Sequence, residues 1–289
     1  MQKVITFGSG TRDVFLAMAK GEKFMPGAKV AIDDLEGHTG GGGTNVACGL
    51  RNLGIKAFYM GKVGDDEMGK AVEKDLLRFR VGLGYLIIDG KRKTAMSVIV
   101  SPYKGDRTAL VYRGACHFLE ETEVPWKRMR KANWFYIAPL REASLKLFPK
   151  LIKFAKENGI KVMVNPSREQ IKHFDLAKFK DVDVLMVNGD ELKAMGGIEK
   201  VCKSCKGIVV VTNGNKGSVV YKDDKIYKQG IKDKKAPKEK TGAGDAYGSG
   251  FLAGLLKKNN IEYAMQLGTA NAEACITKVG AKNGLLKKS

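Results

Sequence analysis

The chain is poor in the residues that usually mark a special environment: 5 cysteines, 7 prolines, 3 histidines and 2 tryptophans in 289 residues. The cysteines (Cys48, Cys116, Cys202, Cys205, Cys275) are scattered and odd in number, which makes no disulfide framework at this length, so reduced thiols are expected. Cys202-Lys-Ser-Cys205 has the spacing of half a zinc site, but no second Cys or His pair completes it. His38, His117 and His173 are isolated and none is a candidate catalyst; His38, beside a glycine run, is a candidate substrate contact. No apolar run approaches the roughly 18 to 20 residues that span a bilayer. The start MQKVITFGSG has no charged segment followed by a long apolar one, so a soluble, cytoplasmic protein is expected. Acidic residues are short as well, 31 against 51 Lys and Arg, for a formal charge of +20. That excess predicts an anionic partner, and nucleic acid, a membrane surface or a phosphorylated small molecule all qualify.

Glycine, by contrast, is abundant at 35 residues. With so little proline this is not disordered low complexity, and the glycines belong in turns or where backbone approaches something closely. The middle of the chain alternates β-branched runs with amphipathic stretches, which predicts βαβ units and a mainly parallel sheet flanked by helices. Glu142 to Asn158 reads as a helix with Leu147, Leu151 and Ala155 on one face and Gly159 as its stop. Val4 to Phe7, Ile160 to Asn165, Val182 to Asn188 and Gly207 to Thr212 read as strands. Three of these end in a polar residue (Asn165, Asn188, Thr212), and because open α/β sheets bind ligands beyond the carboxyl ends of their strands, the three suggest one rim of a crevice. Taken singly, each also fits a plain turn. Lys29 to Glu36, Tyr85 to Asp89, Thr94 to Val100 and Thr108 to Arg113 are strand-like without intervening helices. Turn chemistry at Asp89-Gly90 and Lys104-Gly105-Asp106 separates them, and they predict a small antiparallel lid sheet. The lysine-rich stretch Lys232 to Lys240 reads as an exposed loop.

Two glycine-rich motifs carry chemistry. Thr241-Gly242-Ala243-Gly244-Asp245 runs into a helical pattern, so backbone amides at 242 to 244 lie uncovered at a positive helix end, where an anion such as a phosphoryl group binds. Asp245 stands beside that hole, placed to accept a proton from an attacking hydroxyl. The bland alternative is a loop with an acidic helix cap. Gly40-Gly41-Gly42-Gly43-Thr44-Asn45 lets a polar ligand lie on bare backbone, with Asn45 able to donate to and accept from hydroxyls. Asp13, after the first strand, can bind the same hydroxyls. No Gly-x-x-x-x-Gly-Lys-Ser/Thr occurs, and Gly8-Ser9-Gly10 lacks the third glycine of a dinucleotide fingerprint.

Together these residues resemble the ribokinase family of sugar kinases (the phosphofructokinase-B type) over Val4 to Gly280. One signature matches Gly40 to Gly69, including Asn45-x-Ala47, Leu53-Gly54 and Gly61-x-x-Gly64-Asp65-Asp66-x-x-Gly69; the other matches Thr241 to Gly254. The resemblance implies an α/β fold with a central mainly parallel sheet and a β-sheet lid. It covers residues 1–289 as one kinase domain, with lid strands inserted at about 14–38 and 84–116. It further implies transfer of a phosphoryl group from ATP, with Mg²⁺, to a primary or terminal hydroxyl of a sugar. Asp245 resembles the catalytic base and Gly242, Ala243 and Gly244 the anion hole. Asp13, Gly41, Gly42 and Asn45 match sugar-binding positions, with Asn165, Arg107, Arg113 and Arg168 as further substrate candidates. Asn188-Gly-Asp-Glu191 looks like a motif whose glutamate organises Mg²⁺ through water. Thr212, Gly214 and Gly217 resemble the nucleotide turn, and Asn271 lies on the helix that flanks the adenine. Where the family carries Asp and then Thr, Val or Ser, Glu239 and Lys240 stand here, after Ala236-Pro237-Lys238. Lys240 either reaches a nucleotide phosphate or stays solvated, and a monovalent cation near this loop remains open. A nucleoside or a phosphosugar is the alternative acceptor on the same scaffold, and a homodimer through the lid sheet is expected. A nucleic-acid-binding protein is the competing class, but the lysines are dispersed and no nucleic-acid-binding motif accompanies them.

Overall fold

The computed structural model describes residues 2–23, 25–102, 107–232 and 237–288. The chain opens with β1 (Lys3–Phe7), β2 (Thr11–Met18), β3 (Ile32–Gly40), α1 (Gly42–Asn52), β4 (Lys56–Gly64), α2 (Glu67–Arg78) and β5 (Gly82–Asp89). It continues through β6 (Ala95–Ser101), β7 (Thr108–Tyr112), α3 (Trp126–Met129), β8 (Trp134–Ile137), α4 (Glu142–Leu145), α5 (Leu147–Glu157), β9 (Lys161–Val164) and α6 (Arg168–His173). The last part holds β10 (Val184–Asn188), α7 (Gly189–Ala194), α8 (Ile198–Ser204), β11 (Ile208–Thr212), β12 (Ser218–Lys222), β13 (Lys225–Gln229), α9 (Ala243–Lys258) and α10 (Ile261–Cys275).

The main sheet runs β13-β12-β11-β10-β9-β8-β1-β4-β5. It is parallel from β11 to β5, and a β12–β13 hairpin closes it antiparallel. Both faces are covered, as β8 shows residue by residue. Phe135 and Ile137 pack with Phe148, Leu151 and Ala155 of α5, while Trp134 and Tyr136 pack on the other side with Val46 and Leu50 of α1 and Phe251 of α9. Fully burying a side chain of this size contributes about 1.5–3 kcal/mol. The helix expected over Glu142 to Asn158 is broken at Lys146 into α4 and α5, and Gly159 ends it at φ +65°.

A second, smaller sheet, β3-β2-β6-β7, is the counterpart of the expected lid. Two expectations about it are corrected. Tyr85 to Asp89 is not a lid strand, because α2 carries the chain from β4 across to β5 as a βαβ crossover and lays it parallel to β4 in the main sheet. The lid is also mixed rather than antiparallel, since its central pair β2–β6 is parallel. The Lys104-Gly105-Asp106 turn, and residues 233–236 of the lysine-rich stretch, lie outside the described residues.

Candidate active site

β9, β10 and β11 are neighbours in the sheet, so Asn165, Asn188 and Thr212 stand side by side beyond its carboxyl edge. At the same edge the loops before α1 and α9 bring their helix starts together. Asn45 Nδ2 donates to Asp245 Oδ2 at 2.8 Å, joining residues that are 200 positions apart in sequence. Gly42 stands between Asp245 and the end of β8: a Cβ there would lie 3.4 Å from Asp245 Oδ1 and 3.1 Å from Ala138 Cβ. Gly41 sits at φ +93°, with the Ser9 carbonyl where a side chain would go. The first glycine loop is therefore closely packed at this edge, and position 41 requires glycine.

Asn45 is buried, and its Oδ1 has no partner among the described residues, an acceptor left for a ligand donor. Burial pushes the half-buried Asp245 carboxyl upward, against the Asn45 hydrogen bond and the positive charge of Lys282, which favour its ionised form. Asp13, on the lid strand β2, is likewise raised by burial, and Thr11 and Ser97 hydrogen bonds oppose the rise.

The start of α9 carries the second glycine motif. Gly242 takes the left-handed conformation at φ +82° as the helix cap, held close to Ala281, and Gly244 faces open space. One expected member is corrected: the Ala243 amide donates to the Lys240 carbonyl at 3.2 Å, so the Gly242 and Gly244 amides are the ones left to an anion. Arg107 also moves from its expected place. Its guanidinium is bound by Glu239 and by Thr241 Oγ1, so it ties the root of β7 to the anion loop instead of lining the acceptor pocket. Glu239 in turn accepts from Thr241 N at 2.9 Å and from its hydroxyl at 2.8 Å.

Other candidates are partly committed to structure. Asn188 caps α7, accepting from Asp190 N and Glu191 N, and Glu191 returns the favour through Oε2 to Asn188 N at 2.8 Å. Burial raises the pKa of the Glu191 carboxyl, against the hydrogen bond from Asn188 N. Asn165 donates to Met186 O at 3.0 Å, and Thr212 to Val187 O at 3.4 Å. Gly214 and Gly217 form the tight turn after β11, both at positive φ. Asn271 is corrected outright. It is fully buried, donates to Ala246 O and Ser249 Oγ and accepts from Leu286 N, so it staples α10 to α9 and has no surface for a nucleotide.

Past the carboxyl ends of β8 and β9 Arg141 binds Glu169, and Arg113 approaches Glu142 and Glu169, each at 3.9 Å. Burial, with Arg113 and Arg141 beside it, pushes His117 down to about 4, so this histidine is neutral. Arg168 is exposed and makes no hydrogen bond or ion pair among the described residues. His38 is held by Glu36 and Asn283 and not by the glycine run it precedes. Sequence reasoning missed Lys282, which is 4% exposed and donates to Thr39 Oγ1 at 2.9 Å and Asp75 Oδ2 at 3.2 Å. It also missed Tyr136, whose buried hydroxyl lacks a partner among the described residues and whose pKa is raised by burial first and by the Asp245 charge second. Neither sits in a periodic or glycine-rich pattern that would have drawn notice.

Among the described residues no helix is long and apolar enough to cross a membrane. The chain is 28% identical to 5-dehydro-2-deoxygluconokinase of Bacillus subtilis over 272 residues, covering 83% of this chain and 81% of the relative. It is 26% identical to ribokinase of Haemophilus influenzae, covering 99% and 96%. Its fold matches the solved nucleoside kinase of Methanocaldococcus jannaschii with a TM-score of 0.84 at 22% identity, covering 99% of this chain and 95% of that one. The family model of pfkB family carbohydrate kinases matches residues 1–288, and the chain belongs to that family.

Proposed function

We propose that the protein transfers the γ-phosphoryl group of ATP to a primary or terminal hydroxyl of a sugar, with Asp245 as base. The observation that carries this reading is the contact of Asn45 with Asp245, which sets an unpartnered buried acceptor beside a half-buried carboxylate at the mouth of an open helix start. A sugar bound between Asp13, the Gly41–Gly42 backbone and Asn45 presents its hydroxyl to Asp245, which takes the proton as the oxygen attacks phosphorus. The Gly242 and Gly244 amides hold the charge on the transferring group, and the lid excludes water that would compete as acceptor.

Mg²⁺ fits this donor set in one way. Among the described residues no group of three His, Cys, Asp or Glu side chains converges on a point. A hard cation that retains waters and takes nucleotide phosphates as ligands needs no such cage, and Glu191 Oε1 would accept from one of those waters. The ion would neutralise phosphate charge. Thr212, Gly214 and Gly217 offer the turn on which the nucleotide rests, and such a kinase of small molecules belongs in the cytoplasm.

A second reading has its own observation: Arg168 is exposed, is unpaired among the described residues and adjoins the Glu169 on which Arg113 and Arg141 gather, which favours an acceptor with a carboxylate or phosphate. A panel of neutral sugars, sugar acids, phosphosugars and nucleosides, screened by coupled ADP release, tests both. Turnover with a sugar or sugar acid is expected; preference for a nucleoside overturns the sugar reading, and ADP release indifferent to every acceptor overturns the kinase reading.

The lid's outer face also supports a homodimer. Leu35, Leu110 and Tyr112 are 60%, 52% and 50% exposed, and the register places them on one side of the lid sheet.

A further inference from the structure

Between the lid base, α2 and the C-terminal segment lies a cavity of about 580 Å³, lined by Arg12, His38, Lys74, Asp75, Arg78 and Lys282 among others. Four cations face one carboxylate, and that carboxylate is already spent: Asp75 is bound by Lys282 at 3.2 Å and by Arg78 at 2.7 Å. His38 is committed to Glu36 and Asn283. Arg12 and Lys74 are left, and among the described residues neither makes a hydrogen bond or an ion pair.

Arg12 is half-buried, so its unused donors are not simply bathed in solvent. The chain makes room for it, because a Cβ on Gly37 would collide with the Arg12 guanidinium. Across the cavity Gly280, at φ +84°, leaves space for the His38 ring, which a Cβ there would meet at 2.9 Å. Side chains alternate along β2, so Arg12 faces away from the side on which Asp13 lies. The cavity is thus a separate concavity with unused donors from two elements, Arg12 from the lid and Lys74 from α2, while Asn283 of the C-terminal segment is spent on His38 and the Val279 carbonyl. Planar guanidinium and flexible ammonium together match a phosphate, and the volume holds a molecule of sugar-phosphate size.

We propose that this cavity binds a phosphorylated small molecule through Arg12 and Lys74, bridging the lid base to α2. Its occupancy fixes the lid strand that carries Asp13, so the ligand regulates acceptor binding from outside the active site. This holds whichever acceptor the active site takes.

The test is calorimetric titration of protein saturated with a non-hydrolysable ATP analogue, whose terminal phosphate fills the anion loop, using inorganic phosphate, a hexose phosphate and a neutral hexose as separate probes. Either phosphorylated probe is expected to bind, and Arg12→Gln with Lys74→Gln to weaken it about tenfold or more, the loss of charge-assisted hydrogen bonds. Tighter binding of hexose phosphate assigns the site to a metabolite; equal or tighter binding of inorganic phosphate assigns it to the free ion. Thermal melting checks the fold, and should the double variant fail to fold, Lys74→Gln alone, on the exposed face of α2, is measured in its place. No binding of a phosphorylated probe to the wild type, unchanged binding in a folded variant, or equal binding of the neutral hexose that the same variant weakens alike overturns the proposal.

Discussion

At the scale of single residues, the proposed mechanism rests on how Asp245 would keep a proton-accepting carboxylate in a place that burial makes unfavourable. Burial raises its pKa; Asn45 and Lys282 counter it. As the base must be ionised, activity falls when the pH drops through that raised value. Replacing Asn45 by Ala removes a donor to the ionised form, so the acid limb of kcat/KM is expected to move to higher pH, with a higher KM for the acceptor; an unmoved limb would separate Asn45 from the base. Much of this was legible in the sequence, because glycines and an Asp at a helix start have few alternative uses. Lys282 was not, since its partners Thr39 and Asp75 lie 243 and 207 positions away. Asn271 shows the reverse error: a polar residue on the right helix, yet used wholly for packing two helices together.

At the scale of elements, the signature around Gly64-Asp65-Asp66 proves to be architecture. Asp66 caps α2 through Gly69 N and also accepts from Thr94 N and Oγ1 at the root of β6, so it fastens α2 to the lid. Gly64 and Gly69 are required because Thr94 and Gly64 backbone fill the space a side chain would need. Burial alone would raise the Asp66 pKa, but those hydrogen bonds outweigh it and hold it below 3.8. A lowered folded pKa means the contribution is complete above the unfolded value and is lost as pH falls through the folded one. Asp66→Ala is expected to cost about 1–3 kcal/mol near neutral pH, and its gap to the wild type in thermal melting should narrow in acid. A constant gap would contradict this. The strand Tyr85 to Asp89 was misplaced from sequence because its own pattern is the same in either sheet; only the crossover through α2 decides which sheet it joins.

At the scale of the whole molecule, the lid and the anion loop are coupled through Arg107, Glu239 and Thr241. The Glu239 that departs from the family pattern thus has a visible task. Arg107→Ala should loosen closure, and the ratio of ATP hydrolysis without acceptor to transfer with acceptor is expected to rise severalfold in ADP-release assays. An unchanged ratio would detach this clasp from closure. The apolar outer face of the lid predicts a dimer by sedimentation, converted to monomer by Leu110→Lys; a wild-type monomer would refute it. The charge of +20 has no single counterpart in the structure. Part of it lines the cavity behind the lid, and the rest is spread over the surface, which composition alone could not distinguish from a polyanion-binding face.

The base assignment is tested most directly by Asp245→Asn, an isosteric change that leaves the anion loop in place. Single-turnover phosphoryl transfer to the best acceptor, measured beside nucleotide affinity on the same protein, is expected to slow by about 10²–10⁴-fold while ATP binds as before. Transfer at a near-normal rate would show that Asp245 is not the base.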